Sequence, residues 1–340
     1  MNGNSDFLLL FASCFPVKGA SRSLIVDSAR SQLFFIGNDH YEILQDAKKR
    51  KWTDILDEYD EESQSQLNGL AGFLEKNQLS HWTDEPERFP DIDLRWDAPS
   101  VITNAIIDSD ASSSHDWRQI FDQLIEVGCR DIQLRFYDET DLDLVDNIMS
   151  MLAGSYIKSV EFLLRHRPEY TRKYLTSLVE KYIRVKSLII HSSPKDQILR
   201  HHNYRNYGQM GNVVLIRQVI DSSAHCGFVT KDYFVYSNVQ TFAEFRNYNS
   251  CLNRKIGIDV QGNIRNCPAL PRIYGNIGRD RIGDLITDEF REVWGVSKDQ
   301  IDTCKVCEFR YVCPDCRAFV KEPFSKPLKC NYDPYTMEWK

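Results

Sequence analysis

The sequence predicts an α/β protein built of three regions. Its middle alternates strand candidates with helices of about 10 to 15 residues, a pattern that indicates βαβ crossovers and a parallel sheet. Short strands followed by helices occupy the first region, and seven of the ten cysteines lie in the last 90 residues. We expect these regions to be three domains that span residues 1–90, 98–248 and 249–340.

The first region is predicted to be a small sheet followed by about three helices. Short apolar runs mark the strand candidates, and apolar residues at helical spacing mark the segments that follow. The strand candidates are residues 7–17, 23–27 and 32–36, and an extended segment returns at residues 77–82. The helix candidates are residues 39–49, 52–58 and 61–76. This order is the winged-helix arrangement.

Residues 83–99 are predicted to be a linker. They contain Pro86, Pro90 and Pro99 together with six acidic residues. Prolines at this density disfavour a helix or a central strand. The linker therefore separates the first region from the second.

The second region is predicted to be an open or partial βα barrel. Its strand candidates are residues 101–108, 131–137, 159–164, 185–191 and 213–220. Its helix candidates are residues 116–128, 141–153 and 170–183. Ligands of such folds lie at the carboxyl ends of the strands.

Charge and hydropathy exclude several classes of function. A net charge of -7 and a pI near 5.7 argue against sequence-independent binding of nucleic acid, which needs a basic surface. The apolar run at residues 8–14 resembles the end of a lipoprotein signal, but no Lys or Arg precedes it. No apolar stretch approaches the roughly 20 residues that span a membrane. We expect a cytoplasmic protein whose thiols stay reduced.

The cysteines of the third region are spaced as metal ligands. Four of them form a compact motif, Cys304-x2-Cys307-x5-Cys313-x2-Cys316, in which each x2 spacing lets two thiolates of one turn reach the same metal. The motif is accompanied by Cys251, Cys267 and Cys330. Seven cysteines exceed what one tetrahedral metal or one cluster uses, so the sequence predicts two metal centres.

Zinc is the alternative to iron-sulfur clusters at these cysteines. A four-cysteine centre with two x2 knuckles also describes zinc ribbons, although their knuckles are usually separated by about 15 to 20 residues. Here Cys307 and Cys313 are separated by five residues. The spacing favours iron-sulfur clusters and leaves zinc open at one of the two centres.

The order of the seven cysteines closely resembles the SPASM domain of radical-SAM peptide maturases. A hairpin predicted at residues 257–265 turns at Gln261 and Gly262, and the spacing Gly262-x4-Cys267 is part of the resemblance. The family typically has x3 where this sequence has x2 between Cys313 and Cys316. Because of this departure, Cys316 is the least secure of the implied ligands.

The resemblance implies two auxiliary 4Fe-4S clusters with interleaved ligands. The implied ligands of the outer cluster are Cys304, Cys307, Cys313 and Cys330. The implied ligands of the inner cluster are Cys251, Cys267 and Cys316, and Cys226 is a candidate for the fourth. These eight cysteines are the predicted metal-site residues.

The resemblance extends to the two upstream regions. The partial βα barrel is similar to a radical-SAM core, and the first region looks like the winged-helix element by which many peptide maturases capture a leader peptide at a sheet edge. The size and architecture most resemble the SPASM proteins of grasp-with-spasm systems. The implied function is maturation of a ribosomally synthesised peptide, and the implied partners are a precursor peptide and an ATP-grasp ligase.

One departure separates this chain from radical-SAM enzymes. Their chemistry requires a Cys-x3-Cys-x2-Cys loop after the first barrel strand, and the corresponding loop here, residues 108–117, contains no cysteine. We therefore expect no reductive cleavage of S-adenosylmethionine by this barrel. The sequence assigns no catalytic residue, and whether the chain is an enzyme stays open. The alternatives are an independent enzyme that uses an auxiliary cluster and a zinc-stabilised interaction protein.

Other candidate residues each allow a structural interpretation. Cys14 and Cys129 have no cysteine nearby and are predicted to be buried apolar residues. The acidic loop after the first barrel strand could form a metal or acid-base site, although capping of a helix by Asp116 is the simpler expectation. The loop residues concerned are Asp108, Asp110, His115 and Asp116. Residues 200–207 combine cations with aromatic rings, as in a base- or phosphate-binding stretch, but a solvated loop is favoured.

Overall fold

The computed structural model describes residues 6–199, 211–235 and 238–340. The stretch at residues 200–207 that could contact a base or phosphate lies outside the described residues. The strands are β1 (Phe7–Leu10), β2 (Cys14–Val17), β3 (Ser23–Asp27), β4 (Gln32–Ile36), β5 (Ser80–Thr83), β6 (Asn104–Ser109), β7 (Asp131–Phe136), β8 (Ser159–Arg165), β9 (Val185–His191), β10 (Gln197–Leu199), β11 (Asn212–Leu215), β12 (Lys255–Ile258), β13 (Asn263–Arg265), β14 (Gly275–Asn276), β15 (Tyr332–Asp333) and β16 (Glu338–Trp339). The α-helices are α1 (Asn38–Ala47), α2 (Trp52–Leu56), α3 (Glu61–Lys76), α4 (Trp117–Glu126), α5 (Leu144–Met151), α6 (Arg172–Lys181), α7 (Val239–Asn247), α8 (Ile282–Leu285) and α9 (Asp288–Arg291).

Most predicted elements are present, and four of them have the predicted bounds. These four are the strands β3, β4 and β9 and the helix α3. Residues 7–17, predicted as one strand, form β1 and β2 because the chain turns between them, where the Cys14 N–H donates to the Phe11 carbonyl at 2.8 Å. The predicted hairpin turn is also present, and Gly262 adopts there a φ of +79° that favours glycine.

The chain divides into two compact units, each built from separate stretches of sequence. The first unit comprises Met1–Asp97, Val229–Ser250 and Val296–Lys340, and the second comprises Ala98–Phe228 and Cys251–Gly295. Residues 249–340, predicted as one cysteine-rich domain, thus contribute to both units. The predicted boundaries of the three domains stay predictions.

In the first unit, a three-stranded antiparallel sheet lies between two apolar cores. The strand order is β2-β3-β4, and β1 pairs with β5 in a separate two-stranded sheet. On one face of β3, Ile25 packs among residues of α1, α2 and α3. On the other face, Leu24 and Val26 pack with Phe309 and Val312 of the cysteine-rich segment. Because successive side chains of β3 point to opposite faces, this strand contributes apolar residues to both cores, and all five of its residues are buried.

In the second unit, a nine-stranded and mostly parallel sheet forms the framework. Its order is β10-β11-β9-β8-β7-β6-β12-β13-β14, and the six strands from β11 to β12 are parallel. Ile107, Leu134, Phe162 and Leu188 are fully buried in one core with apolar residues of α4, α5 and α6. The prediction of a mixed α/β fold with a parallel sheet is confirmed. Among the described residues, no helix combines the length and the apolar character needed to cross a bilayer.

Candidate metal centre and the polar sheet face

The first unit contains all four cysteines of the implied outer cluster. Cys304 begins a short 3₁₀ turn, and the Cys307 N–H donates to the Cys304 carbonyl at 3.0 Å, which holds the two residues of the first x2 spacing on one turn. Cys330 is brought in by a parallel bridge to Val229. Cys307, Cys313 and Cys330 all pack against the apolar core that includes Phe309. The structure thus gathers residues that are up to 26 positions apart in the sequence.

Burial keeps these thiols protonated in the absence of a metal. It raises the pKa of Cys304 to about 12, with Asp315 and Cys330 adding to the shift. Burial also raises the pKa of Cys307 and Cys313 above the ordinary range, and the neighbouring thiols contribute in both cases. Because metal binding requires thiolates, a metal would have to displace these protons, which makes its apparent affinity depend on pH.

A buried polar network fixes the loop that contains Cys313 and Cys316. The Asp315 carboxylate accepts from Asn249 Nδ2 at 2.6 Å and from Arg317 Nη2 at 2.7 Å. Ser250 Oγ donates to the Cys313 carbonyl at 3.1 Å. These side chains carry no metal-binding signature, and sequence reasoning missed them. They are polar residues near a cysteine motif, and a solvent-exposed loop would contain the same residue types. The sequence therefore contains no signal that they are buried.

Lys298 places a buried cation beside this loop. It is only 2% exposed, and its Nζ donates to Ser250 Oγ at 2.6 Å. Its charge opposes the upward shift of the Cys313 pKa. A cation in this position would stabilise the thiolate form of Cys313 and the negative charge of a thiolate-bound centre.

The second unit contains a smaller group of cysteines. Burial raises the pKa of Cys267 to about 12, and Cys251 and Cys226 add to the shift. Lys255 Nζ donates to Cys251 Sγ at 3.5 Å. Cys316, the remaining residue of the implied inner set, is buried in the first unit. The ligand roles of Cys226, Cys251, Cys267 and Cys316 stay predictions.

The thiols of the first-unit and second-unit cysteines suit a thiophilic metal, but neither set has the geometry of a metal site. None of the ten cysteines, all of which lie within the described ranges, forms a disulfide. Across the described residues, no three His, Cys, Asp or Glu side chains converge closely enough to hold a metal ion. The four cysteines of the outer set are half-buried, and three of them pack against one apolar core. Cys14 and Cys129 are buried at 5% and 1% exposure.

The face of the parallel sheet opposite α4, α5 and α6 carries a buried ion pair. Arg135 on β7 donates to both oxygens of Asp108 on β6, from Nε at 2.6 Å and from Nη2 at 2.9 Å. Tyr137 Oη donates to the same carboxylate at 2.7 Å. Burial raises the pKa of Asp108, while the Arg135 charge and the two hydrogen-bond donors oppose the shift. This cluster lies at the carboxyl ends of the strands, where ligands of α/β sheets are found.

A second buried pair lies on the neighbouring strands. Arg265 Nε of β13 donates to Asp259 at 2.8 Å, and the register of β12 and β6 sets Ile258 beside Ile107, one residue before Asp259 and Asp108 respectively. Asp108 and Asp259 therefore follow adjacent strands. Sequence reasoning identified Asp108 but missed Arg135, Tyr137, Asp259 and Arg265. Polar residues at alternate positions of β7, namely Asp131, Gln133 and Arg135, were the available signal.

The other candidates of the acidic loop maintain local structure. Asp116 accepts from the Gln119 N–H at 3.0 Å and caps α4, as the sequence predicts. Asp110 accepts from the N–H and Oγ of Ser112 within its own turn. His115 Nε2 contacts the Asp108 carbonyl at 2.8 Å. The loop therefore holds no group of free carboxylates.

Comparisons with known proteins give distant structural matches. No protein family and no curated protein matches this sequence. Two solved structures of Streptococcus suis SuiB match, one bound to the precursor peptide SuiA and one bound to S-adenosylmethionine. The TM-scores are 0.36 and 0.37, with 10% identity over 94% of this chain and 98% of SuiB in both cases.

Proposed function

We propose that this chain is an iron-sulfur protein of ribosomal peptide maturation that binds a precursor peptide and presents it to a partner, without radical-SAM chemistry of its own. The observation that carries the proposal is the packing of the cysteine-rich segment directly on the β2-β3-β4 sheet, with Phe309 and Val312 against Leu24 and Val26. A metal centre held by that segment would stabilise the sheet that captures the peptide. The partner proposed is an ATP-grasp ligase, in the cytoplasm.

The free edge of β4 is the proposed site for the leader peptide. Among the described residues β4 pairs with β3 alone, and the sheet continues no further on that side. Its sequence contains no proline, and Phe35 is 47% exposed. The opposite edge strand, β2, contains Pro16, which lacks an N–H and blunts that edge. An extended peptide would therefore add to β4 rather than to β2.

The outer cluster would be held by Cys304, Cys307, Cys313 and Cys330. Bound there through four iron–thiolate bonds, a 4Fe-4S cluster would link Cys330, beside β15, to the segment that contains the other three cysteines, and it would supply a redox centre. Lys298 would balance its negative charge. The loop of residues 108–117 lacks the three thiolates that would open a cluster to S-adenosylmethionine.

Metal analysis of the anaerobically purified protein tests the cluster part of the proposal. We expect iron and acid-labile sulfide in equal amounts, a brown colour, and no product of reductive cleavage when S-adenosylmethionine and a reductant are added. A colourless protein that contains stoichiometric zinc would show that zinc, and not an iron-sulfur cluster, is bound. Cleavage of S-adenosylmethionine would overturn the account of the barrel.

Capture of the peptide tests the recruitment part of the proposal. Candidate precursor peptides and ATP-grasp ligases are mixed with the tagged protein at micromolar concentration. We expect the native protein and a Tyr156→Glu control, altered at a residue that is 85% exposed in the second unit, to retain the precursor, and a Phe35→Glu variant to lose it. Retention of neither precursor nor ligase by the native protein would refute the recruitment role.

An enzyme that acts on the peptide is the second candidate. The buried Asp108, Arg135 and Tyr137 cluster and the contact between Lys255 and Cys251 favour it, because charged groups are rarely buried on a sheet face without a function. In that case a Cys316→Ser variant would lose product formation while the ligase stayed active alone. Equal product yield with the native and variant proteins would favour the recruitment role.

A further inference from the structure

A groove in the first unit holds part of the linker in an extended conformation. A cavity of about 660 Å³ lies between α1, β2 and α7, and residues 91–95 form one of its walls. Exposure alternates strictly from Asp91 to Trp96, with Ile92, Leu94 and Trp96 turned inward and Asp91, Asp93 and Arg95 outward. This is the pattern of a strand that lies on an apolar surface.

The linker is held by side-chain and backbone contacts of the kind that bind peptides. Ile92 and Leu94 pack against the core that contains Phe15 and Phe242. The Leu94 carbonyl accepts from Asn247 Nδ2 at 2.7 Å. A segment with the composition of a flexible tether is therefore docked, and its contacts are those of an extended peptide in a recognition groove.

A cation at the rim of the groove pairs with an exposed acidic side chain of the linker. Lys48 Nζ donates to the Asp91 carboxylate at 2.7 Å. Apart from the linker itself, the lining contributes three cations, Lys48, Arg246 and Arg310, and no carboxylate, although Arg310 already pairs with Asp299 at 3.1 Å. This excess of positive charge stands out in a chain whose net charge is -7.

Two polar groups of the lining have no partner that the linker supplies. Gln45 Nε2 is buried and has no hydrogen-bond acceptor within the described part of the chain. Arg246 lies 5.9 Å from the centre of the Tyr311 ring, and no carboxylate of the described residues pairs with it. An incoming carbonyl would supply the acceptor that the buried Gln45 amide lacks, whereas Arg246 is exposed and open to an incoming carboxylate.

We propose that this groove is a binding site for an extended acidic peptide with apolar residues at alternate positions, and that the linker occupies it in cis. The incoming peptide takes the place of residues 91–96, sets its apolar side chains on the core beside Phe15, and offers an acceptor to Gln45 and a carboxylate to Arg246. The apparent affinity for a separate peptide is then lower than the intrinsic affinity, because only the molecules whose linker is undocked can bind it. This site is separate from the free edge of β4.

A labelled peptide with the sequence of residues 89–97 tests the proposal by fluorescence anisotropy on the full chain. Its sequence, Phe-Pro-Asp-Ile-Asp-Leu-Arg-Trp-Asp, is that of the docked linker. Replacing Ile92 and Leu94 by serine loosens the linker, and we expect it to tighten binding by about tenfold or more relative to the native chain. Asp91→Lys, which reverses an exposed side chain and breaks its pair with Lys48, is a milder variant that should act in the same direction.

Charge reversal in the groove locates the bound peptide. In the Ile92→Ser/Leu94→Ser background, Arg246→Glu should weaken binding by about fivefold or more, whereas Lys49→Glu, which lies outside the lining, should leave it unchanged. A peptide of scrambled sequence should not bind. Equal affinity for the native and loosened chains, no binding to either loosened variant, or no effect of Arg246→Glu would each overturn the proposal. Because the probe is a segment of this chain, the result does not depend on a precursor peptide.

Discussion

Replacement of Arg135 by methionine should destabilise the second unit in a way that depends on pH. Asp108 and Arg135 are 2% and 6% exposed, and two N–H groups of the guanidinium reach the carboxylate. Removing one partner of such a buried pair leaves an uncompensated charge and costs about 3 to 5 kcal/mol in the free energy of unfolding at neutral pH. Methionine preserves most of the volume, so the loss reports on charge rather than on a cavity.

The pH dependence follows from the remaining carboxyl group. Burial already raises the pKa of Asp108, and removal of Arg135 raises it further because the guanidinium opposes that shift. A carboxyl whose pKa is higher in the folded state binds more protons there, so stability is greatest below the unfolded value near 3.9. Stability is then lost at up to about 1.4 kcal/mol per pH unit until the folded pKa is reached. The penalty in the variant should therefore grow as pH rises from about 4.

Urea unfolding followed by circular dichroism at several pH values measures this difference. The control Arg217→Met breaks the exposed ion pair with Asp196, in which Arg217 Nε donates at 2.8 Å, a distance similar to those between Arg135 and Asp108. It should change the free energy of unfolding by no more than the error of the measurement at every pH. A double variant, Asp108→Asn with Arg135→Met, keeps an acceptor for Tyr137 and should recover much of the loss without pH dependence. A constant penalty across pH, or a double variant as unstable as Arg135→Met, would refute the reasoning.

Three further variants test other parts of the structure. Cys313→Ser should remove about half of the bound iron if the chain holds two clusters, whereas Cys14→Ala should leave the iron content unchanged; chemical analysis of iron decides. Asp116→Ala removes the cap of α4 and should lower the unfolding free energy by about 1 kcal/mol, and equal urea midpoints would contradict this role. Lys298→Met removes the cation beside Cys313, and the variant should lose its metal to a chelator faster than the native protein; equal rates would assign Lys298 to packing alone.

Local signals in the sequence were sufficient for many elements of the fold. α3 begins after Asp60, whose side chain accepts from the Ser63 N–H, and Leu67, Leu70 and Leu74 recur at helical spacing. Each of these signals lies within one stretch of the chain. β1 and β2 were predicted as one strand because their apolar residues are continuous, but the chain turns between them and each pairs with a different strand, β1 with β5 and β2 with β3.

The candidate sites also differ in whether their residues are close in the sequence. Cys304 and Cys307 are three positions apart, so their spacing alone places them on one turn. Arg135 and Asp108 are 27 positions apart and meet because β6 and β7 pair in parallel with these two residues in register. The strands were predictable, but their register was not, and a buried ion pair depends on register. Sequence reasoning therefore identified the candidate ligands that have local spacing and missed the polar cluster on the sheet.

Side-chain contacts connect the cysteine motif to β3, a connection that the spacing of the cysteines does not reveal. Arg22, which immediately precedes β3, donates from Nε to Glu308 at 2.7 Å and from Nη2 to Tyr332 Oη at 3.2 Å, and Glu308 is only 1% exposed. Glu308 directly follows Cys307, so a shift of that knuckle would move an anion that Arg22 holds beside the sheet. A movement of Cys307 on metal binding would therefore be transmitted through Glu308 and Arg22 to the start of β3.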